Sequence, residues 1–179
     1  MKGFGEDPKS NLKRNKSNLN SQEQIVNYAI HLHVSGNISE ATKYYLNCIE
    51  QGIKDCRVFS NYGIILNNLG KLKDAELSYR KAIELNPNFA ICHANLGDLL
   101  RDLGKLKDSE FHTRKAIEIN PNYAIAHSNL GDFLRDYGNL KDAEVSTRKA
   151  IALNPNYAIA YSNLGNILSD LGKLKEAEI

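Results

Sequence analysis

Residues 90–157 read AICHANLGDLLRDLGKLKDSEFHTRKAIEINPNY and then AIAHSNLGDFLRDYGNLKDAEVSTRKAIALNPNY. The two lines agree at 24 of 34 positions, which points to duplication of one unit. The phase extends outward on both sides. Asn-Pro-Asn stands at 86–88, 120–122 and 154–156, Asn-Leu-Gly at 95–97, 129–131 and 163–165, and Asn61-Tyr62-Gly63 one period earlier. A period of this size signals stacked supersecondary units, none of which buries its apolar face alone. The units run 56–89, 90–123 and 124–157, with a divergent first unit at 22–55 and a truncated last one at 158–179.

Each unit reads as two helices. In 124–137, Ile125, Leu130, Phe133, Leu134 and Tyr137 recur at helical spacing. Gly36, Gly70, Gly104, Gly138 and Gly172 then fall at one repeat position, where a left-handed residue ends a helix. In the second helix, for example 141–153, small residues recur where the two helices must approach closely. They are Ala41, Ala75, Ser109, Ala143 and Ala177, then Cys48, Ala82, Ala116 and Ala150. Glu76–Arg80, Glu110–Arg114 and Glu144–Arg148 are i,i+4 pairs in the favourable order. Asn88, Asn122 and Asn156 stand where an N-cap belongs, just after a proline that cannot continue the previous helix.

This pattern resembles the tetratricopeptide repeat family. The resemblance is carried by Leu96, Leu130 and Leu164, by Gly63, Gly97, Gly131 and Gly165, and by Leu32, Leu66, Leu100, Leu134 and Leu168. The two small residues and Pro87, Pro121 and Pro155 complete it. It covers residues 22–179 and implies an all-α fold, a right-handed α-solenoid of antiparallel helix hairpins. Departures are local. His93, His127 and Tyr161 replace a large apolar residue, and Thr113 and Thr147 stand where Tyr45 and Tyr79 keep the usual aromatic. Unit 22–55 lacks the proline and has Ala29 for glycine.

Composition excludes several classes of function. No apolar run approaches the roughly 20 residues that span a bilayer, and the N-terminus has no apolar signal-peptide core. The expectation is a cytoplasmic chain that contacts no membrane. Residues 1–21 carry five basic and two acidic residues, a net +3 against +2 for the whole chain, so the repeats are near neutral at −1. That argues against a nucleic-acid partner. The leader is polar and basic and reads as disordered, since it has too little apolar area to offset ordering. Ser21-x-x-Gln24 resembles a capping box opening the first helix.

Cys48, Cys56 and Cys92 show no metal spacing and read as reduced thiols. The five histidines form no ligand pair, and there is no phosphate-cradling glycine loop. Neither a catalytic site, a metal nor a cofactor is expected.

One position resists a purely structural reading. Asn27, Asn61, Asn95, Asn129 and Asn163 share one slot in all five units, although asparagine is mildly unfavourable inside a helix. A carboxamide both donates and accepts hydrogen bonds. A row of them could hold the main chain of an extended peptide, or each could bond a neighbouring helix and lock repeat geometry. The row resembles the asparagine ladder in the repeat arrays of O-GlcNAc transferase-like proteins. In the family this stripe lies on the concave face. Asp98 and Asp102 repeat there as Asp132 and Asp136, then as Asn166 and Asp170, with Arg101 and Arg135 expected to flank an acidic floor. Such a floor favours a peptide or protein segment with basic character. The family's carboxylate clamp needs Lys and Arg where Ile and Asn stand here.

The expected function is therefore a protein- or peptide-binding scaffold rather than an enzyme. The half-hairpin at 158–179 raises two further expectations: self-association through its open face, or a recognition arm for a glycosyltransferase, sulfotransferase, methyltransferase or oxygenase domain beyond Ile179.

Overall fold

A computed structural model describes the backbone of residues 8–172 and the side chains of residues 21–172. Nine helices fill the described residues: α1 (Pro8–Val34), α2 (Ile38–Glu50), α3 (Cys56–Asn68), α4 (Leu72–Leu85), α5 (Ala90–Asp102), α6 (Leu106–Ile119), α7 (Ala124–Asp136), α8 (Leu140–Leu153) and α9 (Ala158–Asp170). They pair as α1/α2, α3/α4, α5/α6 and α7/α8, and α9 begins the fifth unit. The second half of that unit, 173–179, lies outside the described residues, as do residues 1–7 of the expected leader. Helix α1 is continuous through Ser21, so this serine does not open it as an N-cap.

Each hairpin turns at its glycine. Gly36, Gly70, Gly104 and Gly138 have φ of 79°, 71°, 71° and 81°, in the left-handed region. The next residue's amide reaches back to satisfy an orphan carbonyl of the helix, as Lys105 N does to Leu100 O at 2.8 Å and Asn139 N to Leu134 O at 2.8 Å. The second turn works differently from the expectation. The first helices are capped at Phe89, Tyr123 and Tyr157 with no side-chain bond, one residue beyond the predicted asparagines. The first Asn of each Asn-Pro-Asn organises the turn instead. Asn86, Asn120 and Asn154 accept from the backbone amides of Asn88, Asn122 and Asn156 at 3.1, 3.1 and 3.2 Å. This side-chain turn spans the proline, which has no amide to offer.

Within a hairpin the helices meet at the small residues. Ala41, Ala75, Ser109 and Ala143 are at most 1% exposed. Ser109 Oγ also donates to the Gly97 carbonyl at 2.7 Å, tying α6 to α5. A Cβ at Gly63 would stand 2.6 Å from the Tyr79 ring. At Gly97 it would meet the Thr113 hydroxyl, with backbone atoms of α6 at 3.1 and 3.2 Å behind it, and at Gly131 it would meet the Thr147 hydroxyl. Glycine is thus required by proximity and not by dihedral angle.

Between hairpins, the backbones of successive first helices lie against one another (α1 with α3, α3 with α5, α5 with α7, α7 with α9), whereas among the described residues the second helices stand further apart and α4 reaches α6 through the Arg80–Asp108 ion pair at 3.9 Å. The first helices therefore line the inner side of the stack. The cores are continuous blocks of Leu, Ile, Ala and aromatic side chains, such as Leu66, Tyr79, Leu96, Leu99 and Leu100. Cys48 and Cys92 are buried within them and all three cysteines are free thiols. Burial pushes the Cys92 thiol up to about 12, so it remains protonated.

Replacing Gly97 by alanine is expected to lower unfolding free energy by about 1–3 kcal/mol, because α6 backbone atoms leave the methyl no space. Urea denaturation of the two chains checks this, and an unchanged midpoint would contradict it.

Candidate peptide-binding face

In α7 and α9 the asparagine slot faces the preceding first helix. Its five members have different surroundings, because the neighbouring helix differs. Asn163 Nδ2 donates to Ser128 Oγ at 3.1 Å and to Asp132 Oδ2 at 2.7 Å. Asn129 Nδ2 donates to the Ala94 carbonyl at 3.2 Å, since Ala94 stands where Ser128 does and has no hydroxyl. Asn95 Nδ2 is buried with no partner. Ile64 occupies the slot of Asp98 and Asp132, and the Ser60 hydroxyl is engaged with Cys92. Asn61 bonds the Tyr45 phenol, and the exposed Asn27 accepts from Arg57 Nη1 at 3.1 Å. The donor ends of Asn129 and Asn163 thus serve the array itself. Among the described residues their Oδ1 atoms accept no hydrogen bond.

Beside this row the carboxylates gather around one arginine. Arg101 Nη2 lies 3.2 Å from Asp98 and 3.3 Å from Asp102, Nη1 lies 3.4 Å from Asp132, and Nε lies 3.9 Å from Asp136. The sequence suggested arginines flanking an acidic floor. Arg101 instead sits in the middle of it and bridges α5 to α7. Its guanidinium spreads five donors in a plane, so one residue can meet several carboxylates. One unit up, Arg135 Nε donates to Asp170 at 2.6 Å, bridging α7 to α9. Asn166 is exposed.

Five carboxylates (Asp98, Asp102, Asp132, Asp136, Asp170) against two guanidinium groups leave the face with a net charge of −3. The acids respond to this. Burial raises Asp98, against the pull of Arg101 and with a further push from Asp102. Burial likewise raises Asp132, Arg101 opposes it, and Asp98 and Asp136 add to it. Burial also raises the Tyr157 phenol, with Asp98 and Asp132 contributing, which places this aromatic within the same negative field.

Sequence reasoning found the row and the acids but missed Ser128, which anchors Asn163, and the position of Arg101. It read the five histidines as forming no ligand pair and weighed no contact between two rings. Yet His93 and His112 meet at 2.9 Å, Nδ1 to Nδ1, because the hairpin turn folds positions 19 residues apart onto each other. The 19-residue offset within a unit was the available signal. Among the described residues no three His, Cys, Asp or Glu converge as metal ligands, and no helix is long and apolar enough to cross a membrane.

Family comparison agrees with this architecture. Tetratricopeptide repeat models match residues 63–104, 90–123, 112–145 and 147–179. No curated protein sequence matches the chain. Among solved structures, MamA (41-end) from Desulfovibrio magneticus RS-1 superposes with a TM-score of 0.70 at 22% identity, covering 87% of this chain and 88% of that one. TTC0263, a thermophilic repeat protein in Thermus thermophilus, gives 0.74 at 20%, covering 87% and 86%. YrrB, described as a repeat protein with an unusual peptide-binding site, gives 0.65 at 21%, covering 86% and 79%.

Removing the central guanidinium should expose the acidic cluster's self-repulsion. With raised carboxyl pKa values, the folded state favours the protonated acids, so stability is retained at low pH and lost as pH rises through those values. Arg101→Ala is therefore expected to lower the urea midpoint most at pH 7, and the deficit against the parent chain should shrink as pH falls through the carboxylate range. A pH-independent deficit would contradict the bridging role.

Proposed function

The chain belongs to the tetratricopeptide repeat family, and from that premise we propose that it is a protein-binding scaffold holding an extended peptide along the first-helix face. The observation that carries this reading is the asparagine slot, kept in all five units beside an acidic cluster of net charge −3. An extended strand presents amide groups with a regular spacing, and one carboxamide per unit can bond them without reading side chains. In this array the Nδ2 ends of Asn129 and Asn163 are spent on the neighbouring helix. The Oδ1 ends are therefore the ladder's working side, and they accept from backbone N–H groups of the peptide. The internal bonds also fix the carboxamide orientation, so little side-chain entropy is lost on binding.

Asp98, Asp102, Asp132, Asp136 and Asp170 supply the selectivity. Lysine or arginine side chains projecting from the peptide meet carboxylates that Arg101 and Arg135 neutralise only in part. Binding is then faster and tighter at low ionic strength. The printed description of YrrB as a peptide-binding repeat protein supports the general capacity of such an array for a peptide.

A peptide array probed with the full chain tests this. Peptides carrying lysine or arginine at spaced positions are expected to be retained at low salt and released as salt rises, whereas acidic peptides are not retained. For a retained peptide, Asn129→Ala is expected to weaken binding about tenfold, the effect of one lost hydrogen bond to a well-placed group, while the melting temperature falls by only a few degrees. A large fall in melting temperature with undiminished binding by the folded fraction would show that the row is structural.

A further inference from the structure

The third hairpin holds a buried pair of imidazoles that the peptide-binding reading does not use. His93 on α5 and His112 on α6 are 4% and 8% exposed. Their Nδ1 atoms are 2.9 Å apart, and His93 Nε2 lies 3.0 Å from the Pro87 carbonyl. These contacts determine the proton positions. A carbonyl only accepts, so His93 carries its proton on Nε2. Its Nδ1 is then a lone pair, and His112 must donate to it from its own Nδ1. The pair holds two protons and both rings are neutral.

A third proton finds no good place. On His93 Nδ1 it would set two N–H donors face to face. On His112 Nε2 it would create a buried cation edge-on to Phe111, whose ring is 5.1 Å away. Arg80 from α4 adds positive potential there, and Asp108 on α6 offsets part of it. Lys115 on α6 acts on His93 in the same sense as Arg80 on His112. Asp108 is itself shared with Arg80, at 3.9 Å. Burial, then the neighbouring His93, pushes His112 down to about 4, and burial lowers His93 as well.

The arrangement occurs once among the described hairpins. The slot of His112 is Tyr44, Ser78 and Ser146 in units one, two and four, and that of His93 is Ile25, Phe59 and His127. His127 keeps the anchor to its proline carbonyl, Pro121 O, at 2.9 Å, with no second imidazole opposite. The slots filled elsewhere by tyrosine or serine and by isoleucine, phenylalanine or a lone histidine hold here two facing imidazoles, a buried pair with no favourable place for a third proton.

We propose that the His93–His112 bond is an acid-sensitive latch that holds α5 to α6 at neutral pH and releases this hairpin when the pair takes up a further proton. Its location gives the release a consequence. Helix α5 carries Asn95, Asp98, Arg101 and Asp102, so opening the third hairpin removes the centre of the acidic face. That consequence rests on the proposed peptide site; the latch itself does not. The sign follows from linkage. A histidine whose folded-state pKa is depressed contributes stability above the ordinary imidazole value near 6.5, and that stability is lost as pH falls from there toward the folded value.

The test uses the full chain without peptide, so its outcome is independent of the binding proposal. Urea midpoints are measured between pH 7 and pH 5 for the parent chain and for His112→Ser, which installs the residue of units two and four. His33 is also lowered by burial and contributes equally to both chains, so their difference isolates the pair. The expected result is a midpoint that falls more steeply with pH in the parent than in the variant, which keeps the contributions of His33 and His93. Hydrogen exchange across α5 and α6 should accelerate first, by up to about tenfold per pH unit below the imidazole range after correction for intrinsic rates. Should His112→Ser fail to fold, His93→Phe, the residue of unit two, serves in its place. Equal pH dependence in parent and variant, or acid-enhanced exchange that begins in another hairpin, would overturn the latch.

Discussion

The structure depends on how closely two helices can approach within one hairpin. Gly97 and Gly131 bring α5 and α7 against the threonine side chains of α6 and α8, and Ser109 and Ala143 answer from the second helix with side chains small enough to fit. Such close approach buries Leu96, Leu99, Leu100, Leu130 and Leu134 between layers, at roughly 25 cal/mol for each Å² of apolar area removed from water. A single hairpin cannot cover its own apolar faces. Stacking is what covers them, so the stability of the array is a sum of hairpins and junctions.

The junctions carry the specificity of this chain. They combine apolar contact with a short list of polar ties: Asn129 to the Ala94 carbonyl, Asn163 to Ser128 and Asp132, Arg101 to Asp132, Arg135 to Asp170, and Lys105 to Glu76 at 2.6 Å. Lys105 and Arg80 together hold the Glu76 carboxyl below its ordinary range. Each tie joins one hairpin to the next, and most of them lie on the face proposed to hold a peptide. Stability and recognition therefore share residues. A carboxamide whose nitrogen braces the neighbouring helix has its oxygen already aimed, and an arginine bridging two helices leaves the surrounding carboxylates in excess.

Most of the fold was legible in the residues themselves. A 34-residue phase, a glycine at each hairpin turn and small residues at fixed slots are local signals, and the observed helices follow them. The helix starts were less legible. Asn88, Asn122 and Asn156 satisfy the rule for an N-cap, but the Asx turns made by Asn86, Asn120 and Asn154 shift the cap to Phe89, Tyr123 and Tyr157. The residues of the candidate face were also legible as a stripe, while their mutual contacts were not. Whether Arg101 flanks or fills the acidic cluster is set by the spacing of α5 and α7, which no single unit encodes. The orphaned Nδ2 of Asn95 has the same origin, since it depends on Ile64 in the unit before. The His93–His112 contact was hidden because its members lie in different helices of one hairpin and the combination is not repeated.

The central claim is that the first-helix face, with its asparagine row, is where a partner lies. Titrating isotope-labelled chain with a basic extended peptide and following the side-chain amide and guanidinium resonances addresses it directly. Shifts concentrated at Asn95, Asn129, Asn163 and the Arg101 Nε–H are the predicted result. Shifts concentrated on the second helices instead, around the exposed Leu77, Phe111 and Val145, with the asparagine amides unmoved, would contradict it.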